Sequence, residues 1–507
     1  MRRVAVRAVG ALIALTALTG ACAVGPGYHR SGVGMPDGWR PRAASEDSLR
    51  AFYDSLRTSR DTLLPAGTDT ARVPFRYDTM SSRSGADSGA TLRWLDLIQD
   101  SVLRQLVDTS LRQNRDVRTA LAVIDEFRAQ YRATRGALLP DLTANGQAGR
   151  SRAVFGTFGA QTFDVYKATA DLSWELDVWG RLRRGTSAAR SDLVAREEDR
   201  RALQLSLIGD VATAYFDLRA ADLNLAIARR TLDSRRQTLG LARRRLDQGL
   251  ISELDVRQFE AEVASPAASV ADFERQVAQQ ENALSVLVGR NPGVIARGRS
   301  LTNMAALIPV PAGVPSALLA NRPDVRGAEA TLRAATARIG VAQAAWLPTF
   351  TITGQYGTQS AEFSQWFASG TNIWQAFAGV SIPLFSQGRP GAGEQVNIAR
   401  ARAAQARSRY EQTVLVALRE VEDALVGLRT AQDRTAAQER QVIALRRALE
   451  LADLRYQNGV SSYLDVLDAQ RGLFGAELAL TQAERDQLVA GVQLYQAVGA
   501  GWPRTVD

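Results

Sequence analysis

The chain has 507 residues, 46% of them hydrophobic and 23% charged, so it can bury a large core and form several domains. Its formal charge of +9 comes almost entirely from arginine, and acidic residues alternate with these arginines, which predicts a solvated surface rather than a nucleic-acid-binding one. The single cysteine, Cys22, excludes an intramolecular disulfide, and the single histidine, His29, argues against a histidine-based triad or zinc site. We therefore expect no enzyme, no metal and no dissociable cofactor.

Residues 1–21 have the pattern of a secretory signal peptide. A short basic stretch precedes an apolar stretch that is too short to span a bilayer. Residues 18–22 are similar to a bacterial lipobox, with Thr19 in the position that leucine usually holds. We predict cleavage before Cys22 and acylation of that cysteine, with plain cleavage near an incidental cysteine as the alternative. Ala23 follows, and in the lipoproteins that this pattern resembles the absence of aspartate there favours the outer membrane.

Residues 22–92 form the next segment, which is rich in Ser, Asp, Thr, Arg and Gly from about residue 31. Periodicity is weak throughout, so the segment cannot bury a regular apolar face. We predict a lipid-anchored tether that is extended or partly disordered.

An internal duplication organises the rest of the chain. The segment LPDLTANGQ at 139–147 recurs as LPTFTITGQ at 347–355, an offset of 208 residues that Asp-Val-Arg at 116–118 and 324–326 repeats. Such a sustained spacing indicates a tandem repeat. The predicted boundaries are 93–300 for the first repeat, 301–502 for the second and 503–507 for a C-terminal tail.

Each repeat contains two segments in which apolar and polar residues alternate, as in a strand with unlike faces. The predicted strands cover about 141–150, 163–178, 349–358 and 372–385. A soluble hairpin on a core has the same alternation. The length of the second strand in each repeat and the aromatic residues near strand ends favour membrane strands. Four strands cannot close a barrel and lipid does not tolerate an open edge, so we predict closure by several chains, three copies giving twelve strands.

A long proline-free helical segment follows the second strand of each repeat, over 182 to about 248 and 392 to about 458. At ~1.5 Å per residue each would reach roughly 100 Å, over three times the hydrocarbon thickness of a bilayer. Most of the molecule is therefore expected outside the membrane.

Heptad spacing predicts how the first long helix packs. The apolar positions, which we name the first seam, are Val211, Leu218, Leu225, Leu232, Leu239 and Leu246, with Ala214, Ala221, Ala228 and Ala242 three residues after four of them. This pattern indicates coiled-coil packing at short distance, although an ordinary helical bundle would also fit. Each long helix is expected to turn at Gly249 or Gly459 and to return, with a kink at Pro266 in the first repeat.

Several stretches resemble the outer-membrane efflux protein family, in the NodT-type lipoprotein branch that serves resistance-nodulation-division (RND) pumps. They lie at 22–28, 94–114, 127–131, 174–181 and 321–325. The resemblance implies a TolC-like mixed α/β membrane protein, in which coiled-coil hairpins form a periplasmic α-barrel and a homotrimer completes a twelve-strand barrel. It also implies a passive exit duct for drugs or other small molecules. Its expected partners are a periplasmic adaptor, an inner-membrane RND pump and outer-membrane lipid, without nucleic acid.

The same resemblance implies a periplasmic gate at the second hairpin turn. Asp465 and Asp468 would form acidic rings, Leu464 an apolar constriction, and Tyr456 and Arg471 links that hold the closed state. Threefold symmetry would bring like carboxylates together and favour cations. The alternative is that Asp465 is an ordinary acid at a helix N-terminus and Asp468 an exposed surface charge.

Two other functions stay open from the sequence. A type I protein-secretion outlet has the same fold, and a periplasmic coiled-coil scaffold would need no pore. The chain has no phosphate-binding glycine loop, which agrees with a passive duct.

Overall fold

The computed structural model describes residues 23–30, 100–154, 159–304, 322–383, 385–386, 389–390, 393–458 and 460–499. The signal peptide, Cys22, most of the tether, Gly459 and the C-terminal tail lie outside these ranges. In chain order the elements are α1 (Ser101–Gln113), α2 (Arg115–Gly136), β1 (Asp141–Val154), β2 (Ala160–Leu176), α3 (Arg181–Asp247), α4 (Glu253–Val288), α5 (Leu301–Met304), α6 (Pro323–Ala344), β3 (Thr349–Ser360), a 3-10 turn (Phe363–Gln365), β4 (Asn372–Ser381), β5 (Phe385–Ser386), β6 (Arg389–Pro390), α7 (Gly393–Gln457) and α8 (Tyr463–Val498). Within the described part of the chain no helix is long and apolar enough to cross a membrane.

The chain divides into two compact units, which are described separately. The first unit combines Met1–Gly32, Ala120–Asp199 and Arg326–Thr413, and it contains the four-stranded sheet. The second unit combines Val33–Thr119, Arg200–Val325 and Val414–Asp507, and it contains both helical hairpin turns.

The sheet of the first unit is antiparallel, with strand order β1-β2-β3-β4, so that β2 and β3 join the two repeats. Leu172 pairs with Leu142, and Ala170 pairs with Tyr356, which in turn pairs with Trp374. These pairs place the apolar residues of the alternating pattern on one face, which confirms the predicted alternation.

The opposite face of the sheet carries a ladder of polar side chains across all four strands. The Asp171 carboxylate accepts hydrogen bonds from the amides of Asn145 and Gln355, and Gln375 donates to Gln355. Because the two faces differ this strongly, the sheet suits a boundary between an apolar and a polar medium.

Strand ends differ from the predicted ones for local reasons. β1 runs to Val154, beyond the predicted end, because its pairing with β2 continues to the turn. β2 ends at Leu176, before the predicted 178, because the Asp177 carboxylate accepts from the backbone N–H of Leu182 at 2.9 Å and starts α3. β4 ends at Ser381, before the predicted 385, since Pro383 has no N–H for the ladder.

The four points at which a helix joins a strand of the sheet all lie at the same end of the strands. Asp141 at the start of β1 pairs near the end of β2, with Ser173, and Leu176 pairs with Phe350 near the start of β3. Thr349 pairs with Ser381 at the end of β4. The helices α2, α3, α6 and α7 therefore leave the sheet from one side.

An N-terminal segment of the first unit, residues 23–30, is held on these helices. The backbone N–H of Val24 donates to the carbonyl of Trp179 at 3.0 Å, and the Tyr28 hydroxyl donates to Glu329 at 3.1 Å. Burial, with the neighbouring Glu329 charge, raises the pKa of Tyr28 to about 12. Gly25 has a φ of 124°, and a side chain there would meet the backbone of Gly340 at 2.5 Å. The chain just after the predicted lipid anchor is thus fixed next to the sheet.

The helices of the second unit confirm the predicted hairpins. In α3, Val211 and Leu218 are fully buried, as the first seam requires. Gly249 turns the chain with a φ of 72°, a conformation that glycine adopts without strain. The return helix α4 is continuous from Glu253 to Val288 with Pro266 inside it.

Candidate functional site

The turn between α7 and α8, which we name the second tip, differs in composition from the turn between α3 and α4, the first tip. Hairpin motifs of the two repeats are offset by 210 residues, as Gly249 and Gly459 show. At this offset Tyr456, Tyr463, Asp468 and Arg471 of the second repeat replace Leu246, Glu253, Gln258 and Ala261 of the first. The second tip therefore carries two tyrosines that the first tip lacks.

Tyr456 lies in an aromatic cluster that joins the two hairpins. Its hydroxyl accepts a hydrogen bond from Arg245, near the end of α3, at 2.8 Å. Its ring is 5.0 Å from that of Tyr463, and the Tyr463 ring is 4.3 Å from that of Phe259 on α4. Burial raises the pKa of the Tyr463 phenol, and the nearby charge of Asp453 adds to this shift.

Arg471 makes a second link between the hairpins. Its Nε donates to Glu262 on α4 at 2.6 Å, and only 8% of the Glu262 side chain is exposed. The other oxygen of Glu262 lies 2.7 Å from the guanidinium of Arg235 on α3, which is 5% exposed. Burial lowers the pKa of Arg235, and the Glu262 carboxylate opposes this shift. One buried carboxylate thus bridges a buried and an exposed arginine.

Three further predicted gate residues point into solvent at the second tip. Leu464 is 56% exposed, and the side chain of Asp468 is 80% exposed, with Oδ1 at 3.9 Å from Arg471. Asp465 lies in the first turn of α8. In the first repeat the equivalent Asp255 forms a capping box with Ser252.

The capping box is not repeated at the second tip. Ser462 and Asp465 stand at the equivalent positions, but the Ser462 side chain makes no capping hydrogen bond in the structure. The Asp465 carboxylate still lies in the first turn of α8, where a negative charge stabilises the positive end of the helix. Both interpretations of Asp465 from the sequence, the gate carboxylate and the ordinary acid at a helix N-terminus, therefore stay predictions.

Sequence reasoning missed Arg245, Arg235 and Glu262, the partners of the predicted gate residues. The sequence did contain a signal for Arg235. Four heptads of the first seam have alanine three residues after the seam residue, and Arg235 takes that position in the heptad of Leu232. The predicted lipidation site, Cys22, lies outside the described residues.

The second tip contains hydrogen bonds and ion pairs between the two hairpins, together with exposed carboxylates. Among the described residues no cluster of His, Cys, Asp and Glu could hold a metal ion. A sheet with one apolar face, whose strands are joined in sequence to long helices, is typical of a membrane channel protein of the TolC-like class.

Comparison with known proteins places the chain more closely. The profile of the family described as "Outer membrane efflux protein" matches residues 106–290 and 314–500. The chain is 34% identical over 507 residues to outer membrane protein OprJ of Pseudomonas aeruginosa, covering 99% of this chain and 97% of OprJ. It is 35% identical over 433 residues to the toluene efflux pump outer membrane protein TtgC of Pseudomonas putida, covering 83% of this chain and 87% of TtgC.

Solved structures agree with the sequence comparison. The chain aligns with the open-state crystal structure of the Neisseria gonorrhoeae MtrE outer membrane channel with a TM-score of 0.78 and 30% identity, covering 95% of this chain and 98% of MtrE. The chain belongs to the outer membrane efflux protein family. It is an outer-membrane efflux channel protein and not an enzyme.

Proposed function

We propose that this chain forms a homotrimeric exit duct for an RND-type tripartite pump, with a twelve-strand barrel in the outer membrane and a helical tube in the periplasm. The observation that carries the proposal is the four-stranded sheet, whose outer strands β1 and β4 each keep one edge unpaired in the described residues. An open edge beside an apolar face is unstable in lipid, and further copies would close it. Small organic molecules are the expected cargo, since TtgC is named for toluene efflux.

An adaptor protein and an inner-membrane pump complete the proposed assembly. In this proposal the duct is passive and the pump supplies the energy. We place the adaptor at the two hairpin tips, the part of the helices farthest along the chain from the sheet. Opening would then move the second tip away from α3 and α4.

Acylation of Cys22 is part of the same proposal. Val24 is bonded to Trp179 beside the helix–strand junction, so the chain two residues after Cys22 lies close to the proposed bilayer surface. A thioether-linked lipid there would enter the membrane without a long spacer. The intact mass of the mature protein measures this directly, and the mass of an unmodified chain would contradict acylation.

The function is tested by reconstitution and by deletion. Purified protein should form ion-conducting pores in planar bilayers, and deletion of the gene should increase the susceptibility of the host to drugs or solvents. A protein that forms no pore would instead be the periplasmic scaffold. A deletion that leaves susceptibility unchanged but abolishes export of a protein would identify a type I secretion outlet.

We propose that Asp465 and Asp468 form the acidic constriction of the duct. The double substitution Asp465→Ala with Asp468→Ala should lower the cation-to-anion permeability ratio severalfold and change the single-channel conductance, because it removes every carboxylate from that ring. The reversal potential in a KCl gradient measures the ratio. The matched control, Glu253→Ala with Asp255→Ala, removes two acids from the first tip and should leave the ratio near that of the wild type. If the second-tip variant has unchanged conductance, the gate assignment is wrong.

A further inference from the structure

Arginines are concentrated in the helix segments that adjoin the sheet. The segments 128–136, 181–191, 333–344 and 393–405 together contain one acidic residue, Glu394. Their arginines are Arg128, Arg132, Arg135, Arg181, Arg183, Arg184, Arg190, Arg333, Arg338, Arg400 and Arg402. The next segment of α3, residues 192–199, reverses this balance with four acids and one arginine. On α3 the excess of positive charge is therefore confined to the segment next to the sheet.

Part of this charge is already neutralised within the chain. Arg181 binds Glu175 at 2.6 Å, Arg183 binds Asp177 at 3.1 Å, and Arg128 binds Asp125 at 2.6 Å. A second group is exposed, and its side chains have no partner among the residues that the structure describes. This group, which we name the arginine belt, is Arg132, Arg135, Arg190, Arg400 and Arg402.

The guanidinium groups of the belt lie near the end of the sheet at which the helices join the strands. Arg132 and Arg135 lie within ~6 Å along the helix axis of the end of α2, which precedes β1. Arg190, Arg400 and Arg402 lie ~10–14 Å from the starts of α3 and α7. Side chains lean toward the N-terminus of their helix, and α3 and α7 have that terminus at the sheet. The more distant arginines therefore lean toward the sheet, and the long side chain lets the guanidinium extend further.

A groove beside the belt has the character of a lipid site. It lies between α6 and α7 and has a volume of about 410 Å³. Its lining includes Arg402, apolar side chains such as Val341 and Ile398, and Arg338, whose guanidinium also pairs with Asp192. A guanidinium pairs with phosphate oxygens in bidentate geometry, and an apolar groove accommodates an acyl chain. Both chemical requirements of a phospholipid meet at this level of the molecule.

We propose that the arginine belt and this groove bind anionic glycerophospholipids of the periplasmic leaflet. The proposal rests on the proposed function in one respect, namely that the sheet lies in the outer membrane. The headgroup layer is ~5–8 Å thick on each side of the hydrocarbon, so Arg132 and Arg135 lie at phosphate level. Arg190, Arg400 and Arg402 start deeper, and their long side chains extend back toward that level. The binding holds the duct at a fixed depth by attraction to the lipid surface.

The test compares two variants of the full-length protein with equal loss of charge. The belt variant carries Arg132→Gln, Arg135→Gln, Arg400→Gln and Arg402→Gln. The control variant carries Arg236→Gln, Arg244→Gln, Arg440→Gln and Arg455→Gln, which are exposed arginines of α3 and α7 away from the sheet. Native mass spectrometry then counts the phosphatidylglycerol and phosphatidylcholine retained from mixed micelles of equal composition.

We expect the wild type and the control variant to retain phosphatidylglycerol in preference to phosphatidylcholine. In the belt variant the ratio of retained phosphatidylglycerol to phosphatidylcholine should be at least about fivefold lower. The proposal would be overturned if the belt variant and the control variant retained phosphatidylglycerol equally. It would also be overturned if the wild type retained phosphatidylglycerol and phosphatidylcholine equally. A belt variant that keeps the lipid but shifts the reversal potential in planar bilayers would overturn it as well, since the arginines would then face the pore. Absence of pores in the wild type would instead count against the proposed function, so the two failures can be told apart.

Discussion

The substitution Arg471→Glu is expected to raise the time-averaged conductance of single reconstituted channels severalfold. It replaces the bond between Arg471 and the buried Glu262 by two facing carboxylates, so α8 is repelled from α4 where it is now held. Arg471 is half exposed, and solvent therefore limits the lost attraction to about 1 kcal/mol, to which the new repulsion adds. A total of ~1–2 kcal/mol shifts a two-state equilibrium by a factor of about 5–30 toward the open state.

The matched control for this prediction is Arg447→Glu. Arg447 is exposed on α7 and pairs with Glu450, three residues away on the same helix, so its reversal changes charge without touching a link between hairpins. The conductance of this variant should stay near that of the wild type. A rise equal to that of Arg471→Glu would mean that charge alone, and not the Glu262 link, sets the conductance.

The two hairpins differ in what keeps their tips in place. The first tip is fixed by its own capping box, formed by Ser252 and Asp255. The second tip makes no such box and is held by side chains that reach the first hairpin, from Tyr456 to Arg245 and from Arg471 to Glu262. Under the proposed function, the second hairpin is therefore the one that can move when these links break.

Much of the fold could be predicted because the decisive signals are local. The return helices begin at Glu253 and Tyr463, just after the glycines at which the sequence predicts the turns, and each has a serine at the N-cap. The strand ends were less predictable. Where β2 stops depends on Asp177 turning back to bond the start of α3, and alternation of residues carries no information about such a contact.

The partners of the predicted gate residues could not be inferred from the sequence for a different reason. Arg235 interrupts the alanines of the first seam, and a buried arginine requires a nearby acid. The packing of α4 on α3 determines which acid pairs with Arg235, and it places Glu262 opposite that arginine. Because α4 carries several acids at similar spacing, only the three-dimensional packing selects among them.

The substitution Glu262→Ala should lower the free energy of unfolding far more than Arg471→Glu does. Glu262→Ala leaves Arg235 buried without its opposing charge, and breaking one side of a buried pair costs about 3–5 kcal/mol. We therefore expect a clear loss of stability, measured as the denaturant concentration at which the helical circular dichroism signal of the purified protein is lost. Arg471→Glu keeps the buried pair and should unfold at a higher denaturant concentration than Glu262→Ala.

The chain provides a matched control in Glu477, which also bridges two arginines. Its partners Arg230 and Arg446 are 65% and 57% exposed, so Glu477→Ala returns both guanidinium groups to water and should cost less than about 1 kcal/mol. Similar losses for the two alanine variants would show that burial of Arg235 does not set the cost. A large loss confined to Glu262→Ala would assign two separate roles to this carboxylate. It would stabilise the helix pair through Arg235, and it would hold the second tip through Arg471.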